Sequence, residues 1–159
     1  LFDIPPDKIE VYIHPQSIIH SMVEYWDGSV LAQMGIPDMR IPIAYAMSYP
    51  QRMQNTLPPL DLLRVKELTF LPPDRETFPC LGLAYRALEL GATYPAVLNA
   101  ANEVAGRAFL TGRIKFHQIS STVERAMEKH FSHPIRSLQD VIEADEWTRK
   151  ECARCIDGK

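Results

Sequence analysis

The chain has 159 residues, a formal net charge of −3, 46% hydrophobic residues and 23% charged residues. These values are typical of a globular protein with one or two small domains, and they argue against a disordered chain. The acidic balance offers no basic surface for nucleic acid, and no apolar run is long enough to span a membrane. Three cysteines do not predict a disulfide framework, which favours a reducing compartment.

The two halves of the sequence differ in composition. Ten of the 13 prolines precede residue 79, and that half has the pattern of strands and loops. Residues 79–159 have the pattern of helices. We therefore predict an α+β fold, with a strand- and hairpin-rich N-terminal half followed by a small C-terminal helical bundle. The chain begins at Leu1 without a signal-peptide pattern, so we expect that processing or truncation produced this start.

A short strand is predicted first, over Lys8–Ile13, where charged and apolar residues alternate. A hairpin follows around Asp27-Gly28, which joins the runs Met22–Trp26 and Ser29–Met34. A two-residue loop would turn one apolar face toward a core, made of Val23, Tyr25, Val30 and Ala32. The mixed face, with Glu24, Trp26, Ser29, Leu31 and Gln33, would meet solvent or a partner.

The remainder of the first half is predicted to hold little regular structure. Pro42 suits the first turn of a short helix that runs through Met47 and stops before Pro50. Residues 50–66 are predicted to be a surface segment, and Glu67–Phe70 is predicted to be a short strand.

Four helices are predicted in the second half. They cover Pro79–Leu90 with Gly91 after it, Tyr94–Leu110 capped by Thr93, Gln118–His130, and a region that starts at Ser137, breaks near Asp145 and ends near Ile156. In the second of these helices one apolar face consists of Val97, Ala101, Val104 and Ala108, and its small residues permit close packing. In the third, Val123, Ala126, Met127 and His130 share a side.

The segment from His14 to His20 is the first candidate site. It places two histidines and Ser17 between predicted strands, where a rigid sheet holds reactive loops. A histidine can shuttle a proton or donate a hydrogen bond to an anion. Composition alone favours the alternative, in which His14 ends a strand and His20 is a hydrogen-bonded, half-buried residue.

The loop from Gly35 to Arg40 is the second candidate. Met39 is adaptable against flat ligands, and Arg40 can bind a phosphate or carboxylate. The alternative is that Met39 covers the core and Arg40 pairs with a nearby acid, and for Arg40 we favour it.

Other motifs are weaker. Cys152 and Cys155 form a CxxC without a second half, and His130 and His133 lack partner ligands. Glu103 is expected on a polar helix face or in an interhelix hydrogen bond. Nucleotide, hydrolase and zinc-protease fingerprints are missing from these 159 residues. The residues by themselves therefore predict no complete active site.

Several long motifs nevertheless occur together in order: His14–His20, Tyr25–Gln33, Pro37–Arg40 and Leu98–Glu103, with Leu68–Phe70 and Phe78–Leu81 also fitting. With them the chain resembles 1-deoxy-D-xylulose-5-phosphate reductoisomerase, from Asp7 to about Arg154. That family converts 1-deoxy-D-xylulose 5-phosphate to 2-C-methyl-D-erythritol 4-phosphate in non-mevalonate isoprenoid biosynthesis. Its members are homodimers that use NADPH and Mg²⁺ or Mn²⁺, in the bacterial cytoplasm or the plastid stroma.

The resemblance implies a C-terminal fragment. Residues 1–70 would be the end of the catalytic domain and part of its sheet, 71–78 a linker, and 79–159 the C-terminal helical domain. The family's dinucleotide-binding domain, metal ligands, lid and main phosphate-binding residues all precede the matched part. We therefore expect no metal ligand in these residues.

The resemblance also implies roles for a few side chains. Ser17 and His20 match substrate-binding positions, and His20 is expected to assist catalysis by orienting the substrate. Pro37 and Met39 match a loop beside the nicotinamide, and His14 is expected to be structural. Trp26 and Leu31 are candidates for the dimer contact through the sheet. The alternative is that the chain alone is an inactive structural or dimerisation module; an independent helical binding module over 79–159 has only the bundle pattern in its favour.

Overall fold

One β-hairpin and six α-helices account for the main regular structure of residues 4–54 and 56–158, which the computed structural model describes. These residues form two units, Val11–Pro73 and the described residues on either side of it. The predicted α+β class, with strands first and a helical bundle last, is confirmed. In the described ranges, none of the helices has the length and apolar character needed to cross a membrane. The domain boundaries implied by the resemblance stay a prediction.

The hairpin consists of antiparallel strands β1 (Ile19–Glu24) and β2 (Val30–Met34). Its loop has three residues, because the N–H of Tyr25 donates to the carbonyl of Ser29 at 2.9 Å. Gly28 has a φ of +80°, the left-handed conformation that such a loop requires at its last position. The predicted two-residue loop is therefore wrong by one residue.

That extra loop residue changes which side chains of the two strands share a face of the hairpin. Val23 pairs with Leu31, and Glu24 pairs with Val30. Val30 and Ala32 therefore lie on the face opposite to Val23, and the predicted apolar face is wrong. Val23, Val30 and Leu31 are each more than half exposed, so neither face packs on a core within the described chain.

The rest of this unit is mostly irregular. Helix α1 (Arg40–Ser48) confirms the predicted helix and keeps Pro42 in its first turn. The four-residue helix α2 (Leu62–Val65) was not predicted; the carboxylate of Asp61 caps it by accepting from the N–H of Leu63 at 3.0 Å. The other described residues between 50 and 66 form neither helix nor strand.

The two predicted short strands are wrong. Pro6–Lys8 is a 3-10 turn, and only Ile13 and Leu71 pair, through two backbone hydrogen bonds of 2.9 Å. A strand forms only where a neighbouring strand satisfies its backbone groups along its length. Here the pairing ends after one residue on each side.

Four helices form the other unit: α3 (Cys80–Leu90), α4 (Tyr94–Leu110), α5 (His117–Lys129) and α6 (Leu138–Ile156). Their ends lie within one residue of the predicted ends. The predicted break near Asp145 is wrong, because α6 continues without interruption through that residue, and Arg149 donates to the Asp145 carboxylate at 2.6 Å one turn later. Ala144, Thr148 and Cys152 recur every four residues and are all buried, which keeps one continuous face of α6 on the core.

The core of the helical unit surrounds α4, which packs against both α5 and α6. The predicted apolar face is confirmed for its buried members Val97, Ala101 and Ala108, and Val104 packs beside the core. The predicted side of α5 is confirmed as well, because Val123, Ala126, Met127 and His130 are buried. Small alanines along α4 let the neighbouring helices approach closely.

The helix ends show how local chemistry and packing compete. Gly91 ends α3 with a φ of +63°, a positive value that glycine adopts without strain. Thr93 precedes α4 but does not cap it with its side chain. Its buried hydroxyl instead lies 2.7 Å from Nε2 of His130, so a tertiary hydrogen bond replaces the predicted cap. At α6, Asp140 accepts from the N–H of Ser137 at 2.8 Å in a capping box.

Candidate functional site

His20 lies at a β-bulge. Ile19 pairs with Met34 and Ser21 pairs with Gln33, so one extra residue of β1 stands between consecutive residues of β2. A bulge redirects a side chain and is frequent beside active sites. The side chain of His20 is exposed, which leaves its ring available to a ligand. The half-buried state considered for His20 is therefore wrong.

Ser17 precedes this bulge in an uncommon backbone conformation. Its φ is +51°, in the left-handed region that a serine rarely adopts, and its N–H donates to the carbonyl of His14 at 3.0 Å. Its side chain is exposed, whereas the next residue, Ile18, is buried. The turn therefore presents the Ser17 hydroxyl outward beside an apolar anchor.

His14 is held by its surroundings. Its Nδ1 lies 2.8 Å from the carbonyl oxygen of Thr69, and because a carbonyl only accepts, Nδ1 carries the proton. The ring stacks on Phe70 with centroids 4.8 Å apart. Nε2 is buried and has no hydrogen-bond partner among the described residues. These contacts favour the structural role expected for His14.

The Gly35–Arg40 loop lies beside this turn. The carbonyl of Ile18 accepts from the N–H of Gly35 at 2.9 Å, which joins the two candidate segments directly. Pro37 is exposed, and Met39 is 70% exposed at the start of α1. The expectation that Met39 could cover the core is therefore wrong, since its side chain is free to contact a flat ligand.

Arg40 is paired within its own loop. Its guanidinium donates to both carboxylate oxygens of Asp38, at 2.9 Å and 2.6 Å. These hydrogen bonds lower the pKa of Asp38 to about 2. The favoured interpretation of Arg40, pairing with a nearby acid, is confirmed, and Asp38 is not a free metal ligand.

The residues present do not fit a metal site. Across the described ranges, no group of three or more His, Cys, Asp and Glu side chains is arranged to hold a metal ion. Ser17, His20, Pro37 and Met39 suit hydrogen bonding and apolar contact instead. A cofactor phosphate would need donors beyond these four residues.

The motifs of the helical unit are structural. Glu103 accepts from Asn99 at 3.1 Å and pairs with Arg149 of α6 at 2.7 Å, so the expected interhelix contact is confirmed. Cys152 is buried in the core, and burial raises its pKa to about 11, which disfavours a reactive thiolate. Cys155 is directed toward Glu151.

A surface groove of about 480 Å³ also lies on the helical unit. It is lined by Glu103, Val104, Arg107, Ala108, Thr111, Arg113 and Arg149. None of the predicted site residues contributes to it. Two of its arginines are already paired, Arg149 with Glu103 and Arg113 with Asp157.

Sequence reasoning missed three features of the first site. The bulge at His20 and the left-handed Ser17 depend on register and turn geometry. The third is a set of hydrogen bonds between Gln16 and Thr69, 53 residues apart in sequence.

Comparison with known proteins identifies the family. A family model described as the DXP reductoisomerase C-terminal domain matches residues 34–151. The chain belongs to this family. Among curated relatives of this domain, the 1-deoxy-D-xylulose 5-phosphate reductoisomerase of Trichlorobacter lovleyi is 60% identical over 149 residues, 94% of this chain and 38% of that protein. The protein of the same name from Geotalea daltonii is 56% identical over 98% of this chain and 41% of its own length.

Solved structures agree with this assignment. The 1-deoxy-D-xylulose 5-phosphate reductoisomerase of Zymomonas mobilis in complex with NADPH is 44% identical, with a TM-score of 0.91 over 98% of this chain and 41% of that chain. A DOX-P reductoisomerase in complex with NADPH, fosmidomycin and magnesium is 39% identical, with a TM-score of 0.90. The chain, a member of the reductoisomerase C-terminal domain family, thus spans about two fifths of the length of these relatives.

Proposed function

We propose that the chain is the C-terminal part of a 1-deoxy-D-xylulose 5-phosphate reductoisomerase. The complete protein would use NADPH to convert that substrate to 2-C-methyl-D-erythritol 4-phosphate in isoprenoid biosynthesis. The observation that carries this proposal is the 60% identity over 149 residues to a reductoisomerase of which the chain covers 38%. The match covers 94% of the chain, so it includes the candidate site.

The chain would contribute one side of the substrate site. His20, exposed at its bulge, can donate a hydrogen bond from a ring N–H to an oxygen of the substrate. The outward hydroxyl of Ser17 can bind a second oxygen. Together they would orient the substrate, and His20 would raise the rate by fixing the geometry of the reacting groups.

Pro37 and Met39 would meet the cofactor. Both are exposed, and the polarisable Met39 side chain suits the flat face of a nicotinamide ring. In the complete enzyme NADPH supplies the hydride, and Mg²⁺ or Mn²⁺ polarises substrate oxygens. The described residues offer no cluster of metal ligands, so these would come from the preceding part of the protein.

A second candidate function follows for the chain on its own. The described residues hold no cluster of cation ligands, and the sequence has no nucleotide-binding motif. The isolated chain would therefore be catalytically inactive and would serve as a structural or dimerisation module. Exposure of the hairpin favours a dimer contact there, since Trp26 is 97% and Leu31 is 64% exposed. We propose that the complete protein is a homodimer that uses this hairpin.

The organisms of the relatives support one cellular compartment over the other. Trichlorobacter lovleyi and Geotalea daltonii are bacteria, which supports a bacterial cytoplasmic enzyme over a plastid one. The net charge of −3 gives no reason to expect a nucleic-acid partner.

The test is an activity assay on the complete protein that carries these residues. Its purified form should oxidise NADPH when 1-deoxy-D-xylulose 5-phosphate and Mg²⁺ or Mn²⁺ are supplied, and the 159-residue chain alone should not. A complete protein without this activity would contradict the proposed enzyme. Turnover by the short chain alone would contradict the inactive-module proposal.

A further inference from the structure

A cluster of contacts joins the His14–Ser17 turn to a distant segment of the same unit. The amide nitrogen of Gln16 donates to the hydroxyl of Thr69 at 2.8 Å, and the N–H of Thr69 donates to Oε1 of Gln16 at 3.3 Å. The carbonyl of Thr69 accepts from Nδ1 of His14 at 2.8 Å. Thr69 therefore binds this turn with its N–H, its carbonyl and its side chain.

We propose that Thr69 is a positioning residue for the substrate site and that it acts through Gln16 and His14 on Ser17. This inference rests on the proposed function, because it assigns Ser17 and His20 to the substrate. Thr69 itself contacts neither substrate nor cofactor in this proposal. It would set where the Ser17 hydroxyl stands.

The backbone by itself holds the turn weakly. Regular pairing between the two segments is limited to Ile13 with Leu71. Hydrogen bonds made by Thr69, two of them through its hydroxyl and two through its backbone, therefore provide most of the polar contact between the segments. Ser17, in a left-handed conformation that its side chain does not favour, needs such support from its neighbours.

The geometry concentrates this support on one side of Ser17. Ile18, which follows, is buried and bonded to Gly35, so it is fixed independently. His14 and Gln16, which precede, are fixed by Thr69. Loss of the Thr69 hydroxyl would remove two of the three hydrogen bonds that hold Gln16, while the Thr69 carbonyl would still bind His14. The residue directly before Ser17 would then be held less firmly, and a displacement of about 1 Å can cost a reaction two orders of magnitude.

The test is kinetic and uses the complete protein. Thr69→Val keeps the shape of the side chain and removes the hydroxyl. We expect KM for 1-deoxy-D-xylulose 5-phosphate to rise roughly threefold to tenfold, the range for one lost hydrogen bond, while kcat changes less. Thr69→Ser should restore KM, since it returns the hydroxyl. Thr111→Val is the matched control, because it removes a hydroxyl that donates to two backbone carbonyls at the end of α4.

A second substitution shows whether the effect passes through Ser17. Ser17→Gly removes the hydroxyl and tolerates the positive φ. In that background Thr69→Val should leave KM unchanged. An equal, additive rise in KM would overturn the proposal, because Thr69 would then act independently of Ser17.

The outcomes separate this inference from the proposed function. If Ser17→Gly raises KM but Thr69→Val and Gln16→Leu both leave it unchanged, the positioning role is wrong and the proposed function stands. If the wild-type protein has no reductoisomerase activity, the proposed function itself fails. Gln16→Leu removes the hydrogen bonds between Gln16 and Thr69 by changing the other partner. It therefore tests the positioning role if the Thr69→Val protein does not fold.

Discussion

His20 is the extra residue of the β-bulge in β1. The bulge between Ile19 and Ser21 interrupts the regular alternation of side chains beside Met34. A regular strand would point His20 to the face set by its neighbours, whereas a bulge redirects it. The proximity of Ile18 to Gly35 then brings this histidine toward the Met39 loop. The chemistry proposed for the chain depends on this local geometry.

Replacement of His20 should reduce turnover without unfolding the protein. In the complete enzyme, His20→Ala should lower kcat/KM about 10-fold to 100-fold, the effect of losing a hydrogen bond of about 1.5–3 kcal/mol to a charged group. Because His20 is exposed, the free energy of unfolding should stay within about 0.5 kcal/mol of wild type. Steady-state kinetics and urea denaturation measure the two quantities. Unchanged kcat and KM would remove His20 from the site.

His130 has a different role, in the stability of the helical unit. It is buried beside Tyr94 and Trp147, and Nε2 lies 2.7 Å from the hydroxyl of Thr93. Burial lowers its pKa below the usual 6.5, and the nearby His133 adds to this. The unfolded chain therefore binds a proton at higher pH than the folded chain does, and the free energy of unfolding should fall as pH drops below about 6.5.

This pH dependence can be assigned by substitution. Denaturation of the chain at pH values of about 7.5 and about 5.5 should show a larger loss of stability for wild type than for His130→Gln, whose amide can still bond Thr93 without titrating. His117→Gln is the control, since His117 is exposed at the start of α5 and does not contact His130. Equal losses in wild type and His130→Gln would exclude His130 as the cause.

At the scale of elements, the helices were predictable and the hairpin only partly so. Tyr94–Leu110 has the predicted bounds, because its apolar period and the glycines near its ends act locally. The hairpin was found from Asp27-Gly28, but its register depends on whether the loop holds two or three residues, which composition does not decide. The Gln16–Thr69 contact spans 53 residues and leaves no periodic signal.

The break predicted near Asp145 is absent, because α6 is one continuous helix. Asp145 does not interrupt the helix, and Arg149 pairs with it one turn later. The buried positions Ala144, Thr148 and Cys152 were visible in the sequence as a stripe with helical spacing. Weighing that stripe would have predicted a continuous α6.

The packing of α5 predicts that alanine substitution at two methionines will lower the free energy of unfolding by very different amounts. Met127 is buried in the core of the helical unit, whereas Met47 of α1 is 80% exposed. Met127→Ala should lower the free energy of unfolding by about 2–5 kcal/mol, and Met47→Ala by less than about 0.5 kcal/mol. Chemical denaturation of the two variants measures both effects. Similar losses in both would contradict the assigned core.

At the scale of the whole molecule, the hairpin exposes several apolar side chains close together in sequence. Tyr25, Trp26, Val30 and Leu31 are all at least 49% exposed. Apolar patches of this kind mark interaction sites, and a paired dimer would remove them from water. The remainder of the family's chain, which this sequence does not include, could cover part of the same surface.

The dimer can be tested by adding a charge to the hairpin. In the complete protein, Trp26→Glu and Leu31→Glu should shift the mass in solution from dimer toward monomer, because an unpaired carboxylate is costly to bury in an interface. Leu63→Glu is the matched control, with a leucine that is 89% exposed outside the hairpin. Light scattering that gives a dimer for all three variants would place the contact elsewhere.

The most direct test of the account is the turnover of the complete protein that carries these residues, with wild-type sequence and with His20→Ala. NADPH oxidation is measured with 1-deoxy-D-xylulose 5-phosphate and Mg²⁺ or Mn²⁺. The account predicts turnover by the wild type and a 10-fold to 100-fold loss of kcat/KM in the variant, the range expected for a lost hydrogen bond to substrate. A wild-type protein that leaves NADPH unchanged would contradict it.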